Sequence, residues 1–234
     1  DNTLDGAYGL TRLGESGSFQ KTDDRIEINT KVGHTSPIAK TYFAALGTFK
    51  TQWDAGYDYG VTPTPLISNP FSPAYVFLGI GLDYKPSPAF SAYLSPLSAK
   101  VTIVNNQRLA NAGSFGVTAA EYDAAGDLIT EGENIRYEIG GYLKLAYSKN
   151  IFENVQLTTK ADFFANYLEN FGNIDINWET LIAMKINKFL SASLSTHLIY
   201  DDDIKLAVEN NGVASTGPRV QLKEVFALGV QYQF

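Results

Sequence analysis

The side chains able to do chemistry are few and isolated. The chain has two histidines, no cysteine and one methionine. His197 stands four residues before Asp201, so a His and Asp relay for general acid–base work is conceivable there. His34 lies by a short turn with no acidic neighbour in sequence. A histidine that only satisfies an interior contact is the simpler reading of His197. We therefore expect no enzymatic activity and no catalytic residue.

Asp201, Asp202 and Asp203 are three consecutive carboxylates that could hold Ca²⁺ or bridge cations to lipopolysaccharide. Consecutive residues rarely all reach one ion, and the alternate-position ligands and turn glycine of an EF-hand loop are missing. The run reads as a solvated acidic turn. No metal site and no cofactor is expected. With a net charge of −7 and its 18 basic residues scattered singly, the chain offers no basic face for nucleic acid.

What organises the charged residues is alternation. From Ile135 to Tyr147 one face reads Ile135, Tyr137, Ile139, Gly141, Leu143, Leu145, Tyr147, while the other carries Arg136, Glu138 and Lys144. The same period of two places Val155, Leu157, Phe163 and Tyr167 against Lys160 and Asp162. It places Ile174, Ile176, Trp178 and Ile182 against Asp175, Glu179 and Lys185. It recurs from Leu190 to Tyr200, over Val76 to Tyr84, and where Ile26, Ile28, Thr30 and Val32 oppose Arg25, Glu27 and Lys31.

Segments from Leu4, from Tyr42 to Trp53 and from Ala89 to Val104 are weaker but compatible. In the last, the apolar register moves from even positions (Phe90, Ala92, Leu94) to odd ones (Ala99, Val101, Ile103) across Pro96. Proline cannot donate to a ladder, so a β-bulge is expected there.

With a last strand from Val220 to Phe234, the count is about ten, and the fold class expected is all-β, a transmembrane antiparallel up-and-down β-barrel in one domain spanning 1–234. No apolar run is long enough for a membrane helix. A soluble β-sandwich or lipocalin-like barrel would alternate too. About ten strands with the apolar face inward would, however, enclose a cavity too wide for such a chain to fill.

The connections alternate between long and short. Turns are expected near Gly33 to Ala39, Pro86 to Pro88, Ser148 to Ile151 and Asn187 to Phe189, and long extracellular loops near 54–72, 105–132 and 201–218. A further long connection is expected from Gly14 to Thr22 and a moderate one from Leu168 to Asn173. That pattern places the chain in the bacterial outer membrane with both termini in the periplasm. Phe226, Leu228, Val230, Tyr232 and Phe234 are apolar at every second position up to an aromatic terminus, the form of the signal read by the barrel-assembly machinery.

The face opposite the apolar one is expected to line the lumen with Arg25, Glu27, Lys31, Lys50, Asp83, Lys100, Arg136, Glu138, Lys144, Lys160, Asp162, Asp175, Glu179, Lys185 and His197. Both signs are interspersed, so a lumen filled by ion pairs is expected. A selective pore would more often segregate one sign. The loop from Asn105 to Gly132 is long for a structureless connection and is expected to pack into the mouth or meet a partner.

At Lys21-Thr-Asp-Asp24, Thr51-Gln-Trp53 with Gly56-Tyr57, Ser72-Pro-Ala-Tyr75, Gly81-Leu-Asp-Tyr-Lys85, Phe115-Gly-Val117 and Asn173-Ile-Asp-Ile-Asn-Trp178, the chain resembles an uncharacterised outer-membrane β-barrel family of Bacteroidota, a domain of unknown function. The resemblance implies location and fold, and strand-like sequence ahead of Asp1 that would raise the count to 12. It transfers no catalytic residue.

The functional expectation is a non-enzymatic accessory or structural subunit of a larger outer-membrane assembly. The alternative is a small diffusion channel or a solute-specific outer-membrane transporter. Expected partners are outer-membrane lipid and lipopolysaccharide, the barrel-assembly machinery during insertion, and other outer-membrane proteins or lipoproteins.

Overall fold

A computed structural model describes residues 1–12, 14, 17–210 and 213–231, with backbone alone for 205–210 and 213–216. Ten long strands carry the fold. They are β1 (Asn2–Arg12), β2 (Phe19–Thr35), β3 (Thr41–Thr51), β4 (Ala74–Ser87), β5 (Phe90–Ile103), β6 (Ile135–Phe152), β7 (Val155–Asn166), β8 (Ile174–Lys185), β9 (Leu190–Tyr200) and β10 (Gln221–Val230).

Each strand pairs with the next in chain order, giving one ten-stranded sheet, and with the short loop strands included 67% of the described residues are strand. The pairing is antiparallel and up-and-down, and the sheet is not closed: β1 and β10 are its two edges. Among the described residues no helix is long and apolar enough to cross a membrane, which says nothing of strands. Contacts divide the chain into two compact units, one of residues 1–32, 45–79 and 99–139, the other of residues 33–44, 80–98 and 140–234.

In the first unit, burial follows the expected parity with its sense reversed from a water-soluble protein. Ile28 and Val32 are exposed while Glu27, Asn29 and Lys31, at the alternate positions, are partly buried. On β6, Ile135, Tyr137 and Ile139 are exposed, whereas Glu138 is 1% exposed. In the second unit Ile80, Leu82 and Tyr84 are exposed and Asp83 is buried.

β5 carries the expected irregularity. Tyr93 and Ser95 are buried, then Ser98 and Thr102, while Pro96 and Leu97 between them are both exposed. Two adjacent outward residues mean one extra residue in the strand, which is a β-bulge. The Ser95 hydroxyl lies 2.8 Å from the Ile80 carbonyl and 2.9 Å from that of Leu97, and Tyr167 donates to the Pro96 carbonyl at 3.0 Å. Opposite the bulge, a Cβ on Gly81 would come within 2.0 Å of the Leu94 oxygen, so only glycine lets the two backbones approach.

Several boundaries differ from expectation. β2 begins at Phe19, inside the stretch read as a loop to Thr22. β6 continues through Ser148 to Ile151, where a turn was expected, and Asn150 pairs with Gln156 before the hairpin closes at residues 153–154. The polar Lys149-Asn150 pair resembles a turn, yet backbone pairing does not require apolar side chains. The last strand is described from Gln221 to Val230; Tyr232 and Phe234 lie outside the described residues.

The long loops have structure of their own. Gly56–Tyr57 pairs with Leu66–Ser68, Glu121–Tyr122 with Leu128–Thr130, and Lys205–Asn210 with Val213–Pro218. Residues 104–134 also hold a five-residue helix, α1 (Gln107–Asn111), whose start is capped by the Asn106 side chain accepting from the N–H groups of Arg108 and Leu109. Val104, Leu109, Ala110 and Val117 bury together with Leu66 and Phe115 against them, a small apolar core inside the loops.

Candidate functional site

Three constellations emerge, one at the loops and two on the charged face. The first centres on Asp24, near the loop end of β2. Its carboxylate accepts the backbone N–H of Trp53 at 2.8 Å and of Asp54 at 2.9 Å, and pairs with Lys21 Nζ at 2.8 Å. Lys21 Nζ also donates to the Asp54 carbonyl at 2.7 Å, and the Tyr8 hydroxyl donates to the Asp54 carboxylate at 3.1 Å.

Burial pushes the Asp24 carboxyl up. The Lys21 ammonium and the two backbone N–H groups outweigh that and hold it below the ordinary carboxylate range. Lys21-Thr-Asp-Asp24 and the Trp53–Tyr57 region therefore form one latch that fixes where the next loop leaves the sheet.

That loop and the 104–134 loop are joined to each other. Asn106 N–H donates to the buried Ser72 hydroxyl at 2.8 Å, Asn105 N–H to the Phe71 carbonyl at 2.9 Å, and Arg108 to the Leu66 carbonyl at 3.3 Å. Phe115 and Gly116 both have positive φ, and a Cβ on Gly116 would meet Arg136 Nη1 at 2.6 Å. The 104–134 loop thus meets the charged face at Arg136. Residues 52–73 and 104–134 together carry seven carboxylates and one base, Arg108, so most of the net negative charge sits there.

The second constellation lies beneath. Glu138 is paired with Arg136 at 3.2 Å and Lys100 at 3.4 Å, and all three are largely buried. A lone carboxylate in that position would be costly, and the two cations compensate it. Elsewhere in the same unit Arg25 pairs with Asp5 at 2.6 Å, Glu27 accepts from Asn29 at 2.8 Å, and Asn29 in turn accepts from the Thr48 hydroxyl at 2.8 Å. Lys31 is half-buried and Lys50 is exposed.

The third constellation belongs to the second unit. Buried Asp83 pairs with Lys85 at 3.3 Å. Asp162 accepts from the Tyr142 hydroxyl and pairs with Lys144 at 3.5 Å; Tyr93 packs edge-on against Tyr142. Further along, Lys160, Glu179, His197 and Lys223 stand opposite one another on β7, β8, β9 and β10. Asp175 accepts from Asp202 N–H at 3.4 Å, and Lys185 is exposed.

His197 does not meet Asp201. One ring nitrogen lies 2.6 Å from Asn177 Oδ1 and 3.8 Å from Glu179, while the Asp201 carboxylate accepts from Asp203 N–H at 3.0 Å. Cross-strand register, and not sequence distance, chose the partner. Asp202 accepts from the side chain of Asn173 and from the Tyr200 hydroxyl at 3.2 Å. Among the described residues no group of three or more His, Cys, Asp or Glu is placed to hold a metal ion. His34 is exposed beside the Thr35 carbonyl, 2.9 Å from its Nδ1.

The motifs that carried the resemblance fall on these anchors: the Asp24 latch, Ser72 beneath the helix cap, Gly81 at the bulge, the positive-φ turn at Phe115, and Asn173 to Trp178 at the start of β8. Of the anchors, sequence reading missed the Asp24 latch, the Asn106 cap and the Tyr142 contact to Asp162. Asn106 ahead of Gln107-Arg-Leu-Ala was a readable capping signal. The Asp24 latch joins β2 to a distant loop, and no local periodicity announces it.

Residues 1–57 match the model of a family described as a protein of unknown function, DUF3078. The matched segment covers β1, β2 and β3 and the whole Asp24 latch. No curated protein and no solved structure matches the chain.

Proposed function

We propose that this chain is an outer-membrane β-barrel whose sheet closes around the charged face, and that it serves as a non-enzymatic accessory or structural subunit of a larger outer-membrane assembly. The observation that carries this reading is the reversed burial: Leu78, Ile80 and Tyr137 are each at least 58% exposed, while Asp83 and Glu138 are nearly inaccessible. Soluble proteins rarely expose contiguous apolar patches beyond a few hundred Å². Lipid removes that cost, and a charged interior then follows.

The even strand count and the alternation of short turns with long loops support both termini on the periplasmic side, with the structured loops outside. Exposed Phe226, Leu228 and Val230 continue the alternation toward Tyr232 and Phe234, in keeping with recognition by the barrel-assembly machinery. Arg136, Lys100 and Glu138, with the 104–134 loop packed on Arg136, favour a filled lumen over an open pore. The rigid, acidic loop platform is the surface that a partner or cation-bridged lipopolysaccharide would meet.

The test is gentle detergent extraction of the native protein followed by identification of what co-elutes, together with recording in planar bilayers. A co-eluting barrel or lipoprotein and no stable conductance steps are expected. Elution as a lone monomer, or regular conductance steps as for a diffusion channel or transporter, would overturn the subunit reading.

A further inference from the structure

We infer that the charged face of β7 to β10 holds a binding site for a small organic oxyanion, a carboxylate or phosphate ester on a polar body, seated between Lys160 and Lys223. The inference rests on the reading that this face is enclosed in a barrel. It goes beyond it by giving the interior a ligand.

The site begins with register. Lys160 stands opposite Glu179, Glu179 opposite His197, and His197 opposite Lys223. At about 4.8 Å per strand, the row puts the backbones of the two lysines about 14 Å apart. Cross-strand partners share a sheet face, so all four side chains project to one side.

They line a cavity of about 480 Å³ whose wall also includes Thr158, Ser195, Leu181 and Val225. That size suits a small ligand, and hydroxyls beside a short apolar floor suit a polar body better than a bare ion.

Charge gives the class. On the same face Lys144 is matched by Asp162 and Lys85 by Asp83. Lys160 and Lys223 form no ion pair among the described residues, and the one carboxylate of the row, Glu179, lies 3.8 Å from His197. The His197 ring nitrogen on that side also meets Asn177 Oδ1. The cavity therefore carries two cations against one anion. Two ammonium groups facing one space that barrel closure would enclose repel, and an oxyanion between them turns that repulsion into charge-assisted hydrogen bonds.

The experiment is calorimetric titration of the detergent-solubilised full chain with glycerol 3-phosphate, gluconate and, as the neutral probe, glycerol. Saturable binding of one or both anions and none of glycerol is expected; which anion binds more tightly separates phosphate from carboxylate chemistry. Lys160→Gln and Lys223→Gln should each weaken binding tenfold or more, Glu179→Gln should tighten it, and Lys85→Gln should leave it unchanged. Heat-modifiable gel migration of each protein reports the barrel independently. A heat-modifiable protein that binds neither anion, or binds them equally after both lysine changes, overturns this inference and leaves the barrel reading standing. Loss of heat-modifiability in the unaltered protein overturns both.

Discussion

Asp24 and Trp53 are joined by a hydrogen bond of 2.8 Å from the Trp53 backbone to the Asp24 carboxylate, which ties β2 to the start of the loop that follows β3. Because the acceptor is charged and its side chain only 2% exposed, this contact is worth more than an ordinary surface bond. Hydrogen bonds to a charged group contribute roughly 1.5–3 kcal/mol each, so Asp24→Ala should cost about 2 kcal/mol or more. Urea unfolding measures the cost, and limited proteolysis should show new cleavage within residues 52–73.

The same latch sets a pH response. The folded Asp24 carboxyl sits below its ordinary value, so its stabilisation is fully present above about pH 4 and is lost as pH falls through the lowered value. Protection of the 52–73 loop against an acid-active protease should therefore persist at pH 5 to 8 and fail only under stronger acid. Asp24→Asn should be unprotected across the whole range.

Gly81 faces the bulge at Pro96, where a Cβ would collide with the Leu94 carbonyl. Gly81→Ala should cost roughly 1–3 kcal/mol through overpacking. Gly33→Ala, whose Cβ would find its nearest neighbour at 3.7 Å, should be close to neutral. Comparing the two variants by urea unfolding of the refolded protein separates a steric requirement from a general glycine effect.

Glu138 balances Arg136 and Lys100. Glu138→Gln leaves two cations largely buried without their carboxylate and should destabilise by about 3 kcal/mol, as breaking a buried ion pair typically does. Replacing all three by apolar residues of similar size should recover much of that loss. Thermal unfolding of the single and triple variants distinguishes an uncompensated charge from lost packing.

The strands were readable because period-two alternation is a local signal. The stretches 135–147 and 174–186 declare their faces without any tertiary context. The β5 bulge was readable for the same reason, as a change of parity across Pro96. The latch at Asp24 was not, since it joins residues some thirty positions apart and Asp is equally at home in a solvated turn. α1 is too short to show helical periodicity, and only the capping Asn106 hinted at it. His197 was matched to Asp201 by sequence distance, whereas strand register brought it Asn177 and Glu179. Sheet closure depends on the meeting of two edge strands, a non-local property that alternation does not encode.

The central claim is that lipid covers one face of these strands. The chain has no cysteine, so single cysteines can carry a nitroxide label at Leu78, Ile80 and Leu82 on one face of β4 and at Phe77 and Asp83 on the other. In reconstituted bilayers the first three should be relaxed strongly by oxygen and weakly by an aqueous nickel chelate, and the oxygen effect should drop at Phe77 and Asp83 on the packed interior face. Oxygen relaxation no stronger at Ile80 than at Asp83, with strong nickel relaxation at Ile80, would contradict the account.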